Sequence, residues 1–220
     1  SIWDTFSHVP GNIAENGNGD VACNSYNQLD ADLYMLRSLG VSTYRFSLSW
    51  SRIFPTGQGA HNAKGVEYYN RLIDGLLANN NSPMVTLYHF DLPQALQDLG
   101  GWESDVVSEA FLSYAEFCFA TFGDRVKFWM TFNQPHSFVT AGYGSGNFPP
   151  QANDPGYAPY RVAHRLLKVH AKVYHTYDKN YRPTQGGVIS LSLNTDWAEP
   201  KNINDLRDIE AADLYLQFTL

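Results

Sequence analysis

The sequence predicts a parallel α/β fold, and two observations carry that expectation. Four short apolar runs, residues 42–50, 84–88, 127–132 and 188–193, alternate with stretches of helical periodicity. The third run ends abruptly in two side-chain amides and a proline, Asn133-Gln134-Pro135. Proline has no N–H to donate, so it stops a strand ladder. Clustered polar groups at a strand's C-terminal end are how parallel α/β folds present their chemistry.

Residues 1–27 read as loop, with Gly11, Gly17 and Gly19 among turn-forming Asn and Asp. Residues 20–40 read as a helix, since Leu29, Leu33, Leu36 and Leu39 fall near one face and Gly40 follows as a stop. The strand 42–50 comes next. Tyr44, Phe46, Leu48 and Trp50 take one face; Arg45, Ser47 and Ser49 take the other. Residues 65–79 repeat Val66, Tyr69, Leu72, Ile73, Leu76 and Leu77 at helical spacing.

Pro83 closes the connector to the strand 84–88, which runs out into His89, Asp91 and Pro93. Ser104 is a candidate N-cap for a helix over 105–122, with Ala110, Phe111, Tyr114, Ala115 and Cys118 inward. After the strand 127–132, a Gly- and Pro-rich loop over 142–159 leads to a helix over 160–181. The strand 188–193 then ends at Asn194 and Trp197, and residues 205–220 open a last helix. There is no short repeat, low-complexity tract or linker, so residues 1–220 count as one structural unit.

Composition excludes some partners. A net charge of −7 without blocks of like charge argues against nucleic acid and anionic membrane. No signal-peptide pattern is seen and no apolar run is long enough to span a bilayer. Aromatic residues make up 15%, which suits a carbohydrate cleft, although rings are more often core. Cys23 and Cys118 sit in apolar surroundings and read as buried free thiols, with a disulfide left open. Asn80-Asn81-Ser82 is a glycosylation sequon weakened by the following Pro83. His170 and His175 are five apart on one helix and share no face, and no Gly-rich phosphate loop follows a strand, so neither metal nor cofactor is expected.

Thr131-Phe132-Asn133-Gln134-Pro135 resembles the Thr-Phe-Asn-Glu-Pro motif of the family 1 retaining β-glycosidases, with glutamine in place of glutamate. Ser1 to Phe6, Tyr44 to Arg52, Thr86 to Gln94 and Gly101-Trp102-Glu103 match other stretches of that family in order and spacing. The likeness spans the chain and is strongest to the lactase–phlorizin hydrolase type of repeat, which implies an extracellular or membrane-associated setting. It implies a (β/α)8 TIM barrel, of which these four strands would be strands two to five. A whole barrel takes about 250 residues. The remainder is therefore expected from sequence beyond both ends.

The resemblance also implies a substrate, a small-molecule glycoside or oligosaccharide, and a set of roles. Retaining hydrolysis uses two carboxyl groups about 5 Å apart. Gln134 stands at the acid/base position, and no residue here matches the family's nucleophile. An amide carries no titratable proton at neutral pH, and losing a general acid typically costs 10²–10⁴-fold. Arg45 matches the arginine that supports the nucleophile, a residue type that on a strand face more often only pairs with a carboxylate. His89 and Asn133 match residues that hold the glycone; without the likeness they would read as a structural histidine and a turn amide. Phe90 replaces the usual tryptophan, keeping an apolar wall without the indole donor. Asn194 matches a position on the aglycone side, and Tyr143 and Phe148 are loop aromatics that would either line the cleft or pack.

Three readings of Gln134 remain open at this level: an introduced isosteric substitution, a myrosinase-like thioglucosidase whose leaving group needs no acid, and a klotho-like binding module.

Overall fold

The computed structural model describes residues 1–219. Four strands, β1 (Thr43–Ser47), β2 (Ser82–Tyr88), β3 (Phe128–Asn133) and β4 (Val188–Ser192), form one sheet in the order β1-β2-β3-β4, with every neighbouring pair parallel. The helices are α1 (Ile2–Ser7), α2 (Leu29–Leu39), α3 (Trp50–Ile53), α4 (Ala63–Ala78), α5 (Gln94–Gln97), α6 (Asp105–Phe122), α7 (Pro135–Val139), α8 (Ala158–Asn180), α9 (Arg182–Gln185) and α10 (Leu206–Thr219). Sequential order within a parallel sheet requires a crossover after each strand, and α4, α6 and α8 supply them.

The helices are held by burial of one apolar stripe each. On α6, Val107, Phe111, Tyr114, Cys118, Phe119 and Phe122 are buried. Ser104 caps that helix, its Oγ accepting from the Val106 N–H at 3.3 Å. On α8, Val162, Leu166, Val169, Val173 and Tyr177 recur at three- and four-residue steps and are buried. Three ion pairs tie α8 to α6 and the turn before it: Arg161 to Glu103, Arg165 to Asp105 and Lys172 to Glu109. Between sheet and helices the core is aromatic, with Phe132 stacked on Phe111 at 4.8 Å and Trp129 edge-on to Phe119 at 5.0 Å.

Several boundaries move from the expected ones. The stretch 1–27 contains α1, whose N-cap Ser1 and Asp4 form a capping box. The helix expected over 20–40 begins only at Leu29, because Ala22 and Asn24 take positive φ and turn the chain instead. Leu39 on its last turn is exposed, while Gly40 ends it in the left-handed conformation that glycine adopts freely. The first strand stops at Ser47, and Trp50 opens α3 rather than continuing the pleat. Pro83 lies inside β2, opposite Tyr44. The expected loop 142–159 starts later, since a π-helical turn carries α7 on to Gly144. Leu77 of α4 is exposed, and so is Cys23; both cysteines are free. Of the last predicted helix, Leu220 lies outside the described residues.

Candidate active site

The C-terminal ends of β1, β2 and β3 bring Arg45, Thr86, His89 and Asn133 together. Arg45 Nη2 donates to Asn133 Oδ1 at 2.6 Å, and Arg45 Nε donates to Thr86 Oγ1 at 3.1 Å. The Asn133 amide meets His89 Nε2 at 3.0 Å. These contacts determine the protons. A guanidinium only donates, so the atom facing it is the amide oxygen. The amide nitrogen then donates to His89, whose Nε2 must carry a lone pair, leaving the proton on Nδ1. Burial, and then the Arg45 charge, lower the His89 pKa below its ordinary value, which keeps this neutral form.

Strict alternation along the strands would not build this cluster. Trp129 packs on α6 and Thr131 bonds to His170 of α8, so a period of two would send Asn133 to the helices as well. A register shift between Met130 and Asn133 breaks the period: Met130 pairs with Ser190, but Asn133 pairs with Ser192. Three steps on β3 thus oppose two on β4, a bulge that turns Asn133 toward Arg45. The neighbouring strand makes the same change, for Thr86 and His89 share the site face although three residues apart. Beyond each strand end the backbone turns left-handed, at Phe90 with φ 76° and at Gln134 with φ 43°. Such φ values are uncommon outside glycine and concentrate at functional sites.

Gln134 is half-buried, directly follows Asn133 and precedes α7. Its N–H donates to Ser192 O at 2.7 Å, the last rung to β4, while its side chain takes no part in the Arg45–Asn133–His89 network. Phe90 packs on Phe138 of α7 at 5.5 Å and on the His89 ring at 5.1 Å, forming a wall beside the cluster.

Other expected residues lie elsewhere. Asn194 is not joined to the cluster; its Oδ1 accepts from Ser137 Oγ at 3.2 Å, and it borders an apolar groove of about 570 Å³ with His136, Leu167 and Leu193. Trp197 is exposed. Tyr143 is buried and its hydroxyl accepts from the Trp102 N–H at 3.1 Å, and Phe148 packs on Trp3 at 5.1 Å, so both are packing residues here. Thr86 was missed. Its signal was faint, a single hydroxyl inside the apolar run Val85-Thr86-Leu87. Asp91 was named without a role. Burial pushes its carboxyl up to about 6, and its Oδ1 is enclosed without a hydrogen-bond partner.

Comparisons with known proteins give the family. Glycosyl hydrolase family 1 matches residues 1–220, and the chain belongs to that family. It is 65% identical over 222 residues to human lactase/phlorizin hydrolase, covering all of this chain but 12% of that protein. It is 49% identical to human cytosolic β-glucosidase, of which it covers 47%. Among solved structures, a rice β-glucosidase superposes with a TM-score of 0.96 at 42% identity, over all of this chain and 48% of the other. A glutamate-to-glutamine mutant of the rice enzyme, in a covalent complex with glucose, superposes equally well. An aphid myrosinase superposes at 0.95, also with 42% identity, over 99% of this chain and 47% of its own. The chain is therefore part of a (β/α)8 barrel and spans about half the length of these solved relatives.

Proposed function

We propose that the protein carrying this chain binds the non-reducing end of a β-glucoside or β-galactoside at the β1–β3 rim, as a β-glycosidase of the retaining type. The observation that carries the proposal is the Arg45–Asn133–His89 chain of hydrogen bonds at strand ends. It presents a neutral histidine and a fixed amide, which together suit sugar hydroxyls that both donate and accept. In this reading His89 and Asn133 hold the glycone and Phe90 forms a wall against it. Arg45 stabilises a nucleophilic carboxylate supplied by sequence beyond this chain. Gln134 occupies the acid/base position, so hydrolysis of ordinary O-glycosides is impaired.

A second reading has a specific support. An aphid myrosinase is among the structural neighbours, and a thioglucoside's leaving group departs without a proton donor.

The test is intact mass after incubating the full-length protein with a 2-fluoro-glucoside bearing an activated leaving group, which needs no acid. A covalent sugar adduct is expected. No adduct, together with retained glucose binding, would replace the enzyme reading with a non-catalytic, klotho-like binding module. Turnover of a thioglucoside by the unaltered protein would select the second reading.

A further inference from the structure

Thr131 and His170 lie outside the glycone cluster, yet they grip the bulge that creates it. Thr131 is fully buried inside β3, between Met130 and Phe132, where the register to β4 shifts by one residue. Its Oγ1 lies 2.8 Å from His170 Nδ1 on α8 and 3.4 Å from Ser190 O on β4. A hydroxyl has one proton and these are two contacts. Both are satisfied when His170 Nδ1–H donates to Thr131 Oγ1 and the Thr131 O–H donates on to Ser190 O. Burial lowers the His170 pKa, which keeps the ring neutral and one of its nitrogens free to act as the single donor.

We infer that His170, through Thr131, is a positioning residue for the site: it holds the β3 bulge so that Asn133 faces Arg45 and His89. A bulge leaves backbone groups without ladder partners, so its shape needs another restraint. Here that restraint comes from a helix outside the sheet, anchored to the residue where the alternation changes. Two residues further on, the same backbone sets the hydrogen-bonded position of Asn133. This inference deepens the glycone-site reading and rests on it for its functional meaning.

The test uses the full-length protein labelled with [15N]histidine, without ligand, comparing wild type with His170→Phe, His170→Asn, Thr131→Val and Thr131→Ser. Asparagine places an N–H near the position of His Nδ1, and serine keeps the hydroxyl, so both should retain the pin. In wild type, His170→Asn and Thr131→Ser, the His89 Nε2 resonance is expected at its lone-pair position. In His170→Phe and Thr131→Val it is expected to move away from that position as Asn133 leaves. Glucose affinity should fall about tenfold in the same two variants, the size of one lost neutral hydrogen bond. An unchanged His89 resonance in folded His170→Phe overturns the inference, and so does its loss in His170→Asn. Because the spectrum needs no sugar, failure of wild type to bind glucose would count against the glycone reading alone.

Discussion

Asn133 bridges Arg45 and His89, taking a hydrogen bond from the guanidinium at 2.6 Å through its oxygen and reaching the imidazole at 3.0 Å through its nitrogen. One amide thereby orients a cation and specifies a tautomer. Its two partners lie 44 and 88 residues away on other strand ends, and no local pattern in the sequence couples them.

If position 134 is the acid/base position, a carboxyl placed there should raise turnover. In the full-length protein, Gln134→Glu is expected to raise hydrolysis of an unactivated β-glucoside by about 10²–10⁴-fold, measured as kcat/KM. The substitution is isosteric, so glucose binding should change little. An unchanged rate would overturn the acid/base reading of position 134.

Sugar binding should weaken in acid. The folded His89 pKa lies below its ordinary 6.5, so the network is intact above that value. As pH falls through the lowered pKa, Nε2 takes a proton and repels the Asn133 N–H. Both the stability contribution and the sugar affinity are lost in that window. Calorimetric titration with glucose, which does not ionise there, should show the loss, and His89→Gln should flatten the profile.

Thr86 supports Arg45. Thr86→Val removes the acceptor for Arg45 Nε while keeping the side-chain shape. A partly buried charged donor left without its partner costs about 1–3 kcal/mol. The expected reading is a roughly tenfold weaker glucose affinity, with Thr86→Ser close to wild type. Equal affinity in the valine variant would remove Thr86 from the site.

Asp91 should make stability fall with rising pH. Burial raises its pKa from 3.8 to about 6, so the folded state holds the proton more tightly than the unfolded one. Its favourable contribution is therefore complete below 3.8 and disappears as pH passes through about 6. The swing is on the order of 3 kcal/mol. Relative to wild type, Asp91→Asn should gain thermal stability as pH increases through that range. A constant difference in melting temperature across it would refute the assignment.

Much of the fold is legible in the residues themselves. The apolar period on α6 places its helix over 105–122, and Ser104 marks its start, because both features are local. The α2 boundary was less visible, since Leu29 to Leu39 supply a helical stripe whose N-terminal limit depends on turns at Ala22 and Asn24. Cys23 illustrates the same limit: its apolar neighbours suggest burial, but the turn that carries it is exposed.

The sequence by itself determined that strands and helices alternate, that polar residues stand at the strand ends, and that an amide, Gln134, stands beside Asn133 there. Those properties reside in residue type and short-range period. Only the tertiary structure decided which polar residues meet. The β3 bulge carries Asn133 across to Arg45, Thr86 enters from a neighbouring strand, and Asn194 turns away to Ser137. The reason is geometric: one added residue in a strand reverses which face a side chain takes, and the register that reveals it exists only between strands.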